Sequence, residues 1–254
     1  MKITFLGTGT SQGIPVIGCG CAVCQSTDKR NNRLRVSVLV ETEDKTIVID
    51  SGPDFRYQMI RAKVNDLDAI IYTHEHKDHV AGLDDIRPYN YLLKKLIDIY
   101  ATIRVQDALR REFSYIFEDT KYFGLPQIKL HTVDMQPFLI GETIIIPIEV
   151  MHHKLPVLGY RFGDFTYITD AKTISDESLE KIKGSKILVI NALQKEGHIS
   201  HFTLDEAIAF ANKAGAETTY FTHMSHNLGL HADIEKELPS HIKLAYDGLS
   251  FEVE

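Results

Sequence analysis

Thr73-His74-Glu75-His76-Lys77-Asp78-His79 follows directly on the apolar run Leu67-Asp68-Ala69-Ile70-Ile71-Tyr72. An apolar run of this length reads as a buried strand, and its end releases three imidazoles and two carboxylates into the next turn. Alternate residues leaving a strand share a direction, so His74 and His76 can grip one cation while Asp78 and His79 face a second. Imidazole suits zinc and iron, and a carboxylate admits manganese as well, so ligand type leaves the metal open. Three histidines within six residues have no packing rationale. Glu75 and Lys77 are expected to be solvent-facing spacers.

Working outward, the same event recurs at other strand ends. Leu34 to Val40 and Thr46 to Asp50 read as a hairpin, and Asp50 stands before Ser51-Gly52-Pro53, where its carboxylate can accept a hydrogen bond from a metal-ligating imidazole. Residues 54–63 have helical spacing. After His79 a helix begins at Val80, with Pro88 predicted to break or kink it. A strand over 97–101 precedes an amphipathic helix through Leu109, Phe113, Ile116 and Phe117, whose aromatic stripe suits the core. Strands are also expected over 127–133 and 142–150, and the second runs into Met151-His152-His153, one of whose histidines completes a metal shell. A hairpin turning at Gly163-Asp164 ends in Thr169-Asp170, putting a carboxylate on the same rim, able to bridge two cations. Lys186 to Asn191 is a buried strand of the parallel type, followed by a loop with His198 and His201. Thr203 and Glu206 form a capping box for the next helix. Thr218 to Thr222 then releases His223-Met224-Ser225-His226, and Ile242 to Tyr246 and Leu249 to Val253 are expected to pair across Asp247-Gly248.

Near the start, Gly18-Cys19-Gly20-Cys21-Ala22-Val23-Cys24 sets three sulfurs within reach of one small cation. These are the chain's three cysteines, an odd number that suits a thiolate clip better than a disulfide framework. Zinc is the obvious occupant, and a tetrahedral site needs a fourth ligand from elsewhere, a distant histidine. The preceding Gly7-Thr8-Gly9 loop completes no GxGxxG pattern, so it is not read as nucleotide-binding. With 254 residues, 44% of them hydrophobic, the chain is expected to form one domain over 1–254. A net charge of −7 argues against a dedicated nucleic-acid binder. No apolar run approaches the roughly 20 residues that span a membrane, and the strand-like opening is too short for a signal peptide, so a cytoplasmic location is expected.

His-x-His-x-Asp-His, a later histidine before Gly159-Tyr160, an aspartate after the following strand and a late Thr-His resemble, in this order, the metallo-β-lactamase superfamily. The opening Gly-Thr-Gly-Thr-Ser-Gln-Gly-Ile-Pro, the cysteine cluster and the His223-x-x-His226 pair are most similar to the phosphoribosyl cyclic phosphodiesterases of bacterial phosphonate breakdown. The resemblance implies an α/β (α+β) fold, a four-layer αββα sandwich with two cations at one edge. His74, His76 and His153 would hold one cation, and Asp78, His79 and His223 the other, with Asp170 bridging. His153 is preferred to His152 because five residues then separate it from Gly159-Tyr160. His226 would complete the structural zinc, and Asp50 would support the ligands from behind. The implied reaction is hydrolysis of a small, cyclic ribose-type phosphate ester by a hydroxide shared between two zinc, manganese or iron ions. Asp78 and His201 would act at the reaction itself, His201 as an imidazolium with a pKa near 6.5 and His198 as its competitor. The alternatives are a tRNA 3′-end endonuclease and a non-hydrolytic accessory protein resembling pyrroloquinoline quinone biosynthesis protein B. The partner implied is a small phosphate ester rather than nucleic acid or membrane, with a homodimer left open.

Overall fold

The computed structural model describes residues 1–118 and 124–253. In chain order its strands and helices are β1 (Lys2–Gly7), β2 (Ser37–Glu41), β3 (Thr46–Ile49), α1 (Phe55–Ala62), β4 (Ala69–Ile71), α2 (Lys77–Val80), α3 (Arg87–Leu93), β5 (Ile97–Ala101), α4 (Ile103–Glu112), β6 (Ile128–Thr132), β7 (Phe138–Ile140), β8 (Thr143–His152), β9 (Leu155–Phe162), β10 (Phe165–Tyr167), α5 (Asp176–Ile182), β11 (Ile187–Asn191), α6 (Leu204–Ala214), β12 (Thr218–Thr222), α7 (His231–Glu237), β13 (Ile242–Leu244) and β14 (Ser250–Glu252). They form two seven-stranded mixed sheets, ordered β14-β1-β2-β3-β4-β5-β6 and β13-β12-β11-β10-β9-β8-β7. Each sheet is antiparallel at one end and turns parallel at β3 or at β10. The fold is the expected αββα sandwich.

Alternation along the strands explains the layering. Ile3, Val38, Ile47, Tyr160 and Phe165 meet between the sheets, while Leu39, Val48, Ile70 and Ile99 face the other way and pack under α1, α3 and α4 with Phe55, Met59, Val105 and Leu109. The second sheet's outer face packs on α5 and α6 through Leu188, Ile190, Leu179 and Ala207. Parallel strands covered on both faces are near-continuous apolar runs, as β4 and the first four residues of β11 are. The aromatic stripe does lie against the core, where Phe113, Ile116 and Phe117 pack partly buried on the α4 side. Thr203 and Glu206 form the expected reciprocal cap of α6. Residues 119–123, between α4 and β6 in the chain, lie outside the described residues.

Four local expectations are overturned. α2 ends at Val80 rather than starting there, and α4 stops at Glu112, short of Phe113, Ile116 and Phe117. Pro88 does not break a helix: it sits in the first turn of α3, where a missing N–H costs nothing because that donor has no intrahelical partner. The C-terminal strands do not pair with each other. A turn does form at Asp247-Gly248, but β13 joins β12 in one sheet and β14 joins β1 in the other. Asp247 accounts for the split, because its carboxylate accepts from Thr8 Oγ1 at 2.8 Å and from Leu34 N at 2.9 Å, while Gly248 N donates to Phe5 O at 2.8 Å. These long-range bonds hold the turn on the first sheet and outweigh the local hairpin signal.

Two glycines let the segment after β4 settle against the end of β3. A Cβ on Gly52 would lie 2.0 Å from Asp78 O, and one on Gly82 would lie 2.2 Å from Gly52 O. No side chain fits at either position.

Candidate metal centre

The ends of β4, β8, β10 and β12 meet at one rim; Asp170 after β10 (φ 57°) and His223 after β12 (φ 55°) have left-handed backbone, as does Asp50 (φ 61°) after the neighbouring β3. Left-handed backbone is uncommon outside glycine and concentrates where the surroundings hold a side chain in place for function. His74, His79, Asp170 and His223 are each at most 2% exposed, and His201 is 8% exposed. His76 lies at the solvent edge, its ring centroid 4.6 Å from that of His74 and 5.3 Å from that of His152.

Hydrogen-bond partners fix the tautomers. Asp50 accepts from Thr73 N, from Thr73 Oγ1 and, at 2.7 Å, from His79 Nδ1. Because the Thr73 hydroxyl spends its proton on Asp50, it accepts from His74 Nδ1 at 3.0 Å. His152 Nδ1 stands 2.8 Å from Ser200 O, which can only accept. In all three rings Nδ1 therefore holds a proton, so Nε2 is the nitrogen that can present a lone pair to a metal. Among the described residues, His74 Nε2, His79 Nε2 and both His223 ring nitrogens are buried without a hydrogen-bond partner.

The spacing of those orphaned atoms is informative. His79 Nε2 lies 3.4 Å from Asp78 Oδ2 and 3.3 Å from Asp170 Oδ2, and His223 Nε2 lies 3.3 Å from Asp170 Oδ1 and 3.7 Å from Asp78 Oδ2. These separations are too long for good hydrogen bonds. Two ligand atoms each about 2.1 Å from one cation in a tetrahedral shell stand roughly 3.4 Å apart, so the cluster has the dimensions of groups sharing a cation. The side chains fall into sets that can hold one: His74 with His79 and Asp170; Asp78 with His79 and His223; His152 with Asp170 and His201.

Charge follows the same pattern. Burial opposes the charge of His79, yet the carboxylates of Asp78, Asp50 and Asp170 outweigh it and hold the imidazole well above its usual pKa. Burial likewise works against the charges of Asp78 and Asp170, but the imidazoles facing them keep both carboxyls far below the usual range. His74 is pushed well below 6.5 by burial and by His79, which together outweigh the opposing pull of Asp170. The carboxylates thus set up a buried negative potential that stabilises positive charge at His79.

Three sequence expectations need correction. His152, not His153, joins the cluster. β8 continues to His152, which pairs with Leu155, and His153 is the exposed first residue of the turn, left-handed at φ 56°. His201, expected near 6.5, is pushed down to about 3 by burial and by His223, so it rests as a neutral imidazole. It and His198 are neighbours with ring centroids 5.1 Å apart, but His201 is the one beside Asp170, Nδ1 to Oδ1 3.7 Å. Glu75 and Lys77 are also more than spacers: Glu75 accepts from Arg104 Nε at 3.1 Å, and Lys77 pairs with Glu112, so both tie the segment to α4. Sequence reading missed Thr73 and the Ser200 carbonyl. The first was signalled by its place directly before His74; the second is backbone and leaves no sequence signal.

The cysteine loop forms a separate cluster. His226 Nδ1 lies 3.3, 3.4 and 3.6 Å from the sulfurs of Cys19, Cys21 and Cys24. With Zn–S about 2.3 Å and Zn–N about 2.0–2.1 Å, a tetrahedral zinc site places S and N roughly 3.5 Å apart, so the four groups fit zinc without rearrangement. Cys21 is lowered to about 6, chiefly by the Cys24 N–H and then by His226, while burial raises Cys24 to about 11.

A family model described as a beta-lactamase superfamily domain matches residues 45–224. An octanoyltransferase of Porphyromonas gingivalis is 40% identical over 253 residues, 98% of this chain and 51% of that protein. Ribonuclease Z of Methanosarcina acetivorans is 29% identical over 166 residues, 63% of this chain and 47% of that protein. The chain thus spans about half the length of these curated relatives. The crystal structure of a diphosphatase from the PhnP family matches with a TM-score of 0.94 and 41% identity, covering 100% of this chain and 98% of that one. With its two sheets, its histidine and aspartate order and these likenesses taken together, the chain belongs to the metallo-β-lactamase superfamily and is of the PhnP type.

Proposed function

We propose that the protein is a hydrolase of small phosphate esters, acting on a phosphodiester of the cyclic ribose type through two divalent cations. His74, His76 and His152 would hold one cation, Asp78, His79 and His223 the other, and Asp170 would reach both. The observation that carries this reading is the set of buried ring nitrogens without a hydrogen-bond partner, His74 Nε2, His79 Nε2 and His223 Nε2, gathered beside Asp170, whose two oxygens lie 3.3 Å from the last two. A pair of divalent cations so held supplies an activated water and neutralises charge on a phosphoryl group. Zinc, manganese and iron all suit the donor set.

The chain's own residues do the rest. Asp50 and Thr73 keep His79 and His74 in the ligating tautomer, and the Ser200 carbonyl does so for His152. His201 rests neutral beside Asp170. An anionic phosphate arriving next to it raises its proton affinity, so His201 is placed to hold a proton for the leaving alkoxide in the complex. Cys19, Cys21, Cys24 and His226 would hold one structural zinc. The acidic balance, 35 Asp and Glu against 28 Lys and Arg, supports a small ester over an RNA.

A panel assay tests this. Ribose cyclic phosphate, a nucleoside diphosphate, bis-p-nitrophenyl phosphate and a tRNA precursor are offered to the metal-loaded protein under one set of conditions. The ribose cyclic phosphate should be turned over with the highest kcat/KM. Preference for the diphosphate or the tRNA precursor would replace this substrate class, and no hydrolysis of any of them would sink the proposal.

A further inference from the structure

β11 ends without an imidazole or a carboxylate, yet it lies between β10 and β12, which lead into Asp170 and His223. Its last residue, Asn191, is fully buried. The parallel pairing of β10 with β11 reaches Tyr167 opposite Val189, and Ile168 N still donates to Val189 O at 2.8 Å. Beyond that, Asp170 takes up left-handed backbone and the ladder between the two strands ends. The Asn191 side chain closes the gap. Its Oδ1 accepts from Ala171 N at 2.6 Å, and its Nδ2 donates to Ala171 O at 2.9 Å. A carboxamide both donates and accepts, so it replaces the missing strand backbone with a peptide-like pair of bonds.

The bonds spread from there to the rest of the cluster. Ala171 O also accepts from Phe202 N at 2.9 Å, the residue after His201. Ala192 N donates to Thr222 O at 3.0 Å, the residue before His223. Leu193 N donates to Phe202 O at 3.0 Å, and Leu193 O accepts from Ser225 N at 2.9 Å. Three consecutive residues, Asn191, Ala192 and Leu193, therefore hold the peptides that adjoin Asp170, His201 and His223.

We infer that Asn191 is a positioning residue: by clamping both polar groups of Ala171 it holds Asp170 in its left-handed conformation and sets its spacing from His201 and His223. The consequence for cation binding rests on the proposed function, whereas the clamp itself does not. Partners that hold a ligand from behind typically carry 10–100-fold in metal affinity. A role in packing alone would let cation binding fall only in step with stability; a positioning role separates the two.

The test compares Asn191→Ala with Leu188→Ala, a change at a buried core position of the same strand. Amide hydrogen exchange and cation affinity by chelator competition are read on the full chain, using zinc and manganese. In Asn191→Ala, protection at Ala171 should drop at least tenfold while the amides inside β11 keep theirs. Affinity for the cations of the histidine cluster should fall about 10–100-fold, with the cysteine-bound zinc retained. Leu188→Ala should lower the melting temperature without singling out either readout. Should Asn191→Ala fail to fold, Asn191→Ser carries the same two expectations, because one short hydroxyl cannot serve both groups of Ala171. Wild-type protection at Ala171 in these variants would overturn the inference, as would losses that merely follow stability in the way Leu188→Ala sets. If the wild type itself takes up only the cysteine-bound zinc, the proposed function falls, and the exchange result still decides the role of Asn191.

Discussion

At the scale of single residues, the two adjacent histidines at the end of β8 make the sharpest contrast. His152 faces the cluster with its tautomer set by Ser200 O, and His153 is exposed in the turn. His152→Ala should lower kcat/KM by at least about 100-fold, roughly 2.7 kcal/mol of transition-state stabilisation, while His153→Ala should stay close to wild type in a steady-state assay on one phosphodiester. Equal losses would show that the turn rearranges when substrate binds. Asp50 offers a second contrast. Asp50→Asn keeps the shape but lets an amide face His79 Nδ1, so zinc affinity should drop about 10–100-fold in a chelator competition; unchanged affinity would mean that the His79 tautomer does not matter. The histidine-rich segment was legible because its residue types have no other use there. The choice between His152 and His153 was not, since it depends on where a strand stops, and one residue of slip turns a side chain to the other face. The low pKa of His201 was equally hidden, because burial against His223 is a property of the assembled loop.

At the scale of elements, the cysteine loop is joined to the end of β12 both by His226 and by backbone. Thr10 N donates to Met224 O and Met224 N to Thr8 O, each at 3.0 Å, directly after His223. Cys21→Ser should therefore remove one zinc per chain and lower the melting temperature by roughly 5 °C or more, at roughly 2–4 °C per kcal/mol for a chain of this size. Elemental analysis and calorimetry on the same sample check both numbers, and a variant that keeps its melting temperature would make the clip dispensable for the fold. Strands, the α6 cap and the sulfur spacing were readable because each is a local pattern. β13 and β14 depart from the sequence expectation for the opposite reason: the local turn is real, but Thr8, Leu34 and Phe5, far away in sequence, decide where it docks. β7, three residues long, left no pattern to find.

At the scale of the whole molecule, Arg33 links the chain's early and late segments from a buried position. It donates to Thr8 Oγ1, to Ala245 O and, at 3.0 Å, toward His231 Nδ1. An arginine cannot accept, so His231 must present a lone pair and stay neutral; burial and then Arg33 push its pKa down to about 4. The unfolded chain binds that proton near pH 6.5 and the native one only near 4, so this group removes stability as pH falls between those values. Urea titrations should show the wild type losing on the order of 2–3 kcal/mol more than His231→Gln over that window, and parallel profiles would contradict the assignment. The αββα architecture itself was accessible through the order of ligands along the chain, whereas the pairing of β14 with β1 emerges only once both sheets are assembled. Whether the histidine and aspartate rim works through cations of its own, beyond one held by the cysteine clip, is tested by titrating metal-stripped protein with zinc or manganese while following hydrolysis of ribose cyclic phosphate. With zinc, turnover should be absent at the first equivalent, which fills the cysteine clip, and should rise and saturate as two more bind; with manganese, which thiolates do not favour, it should rise from the first equivalent and saturate at two. Full activity in stripped protein, or none at any loading, would contradict the account.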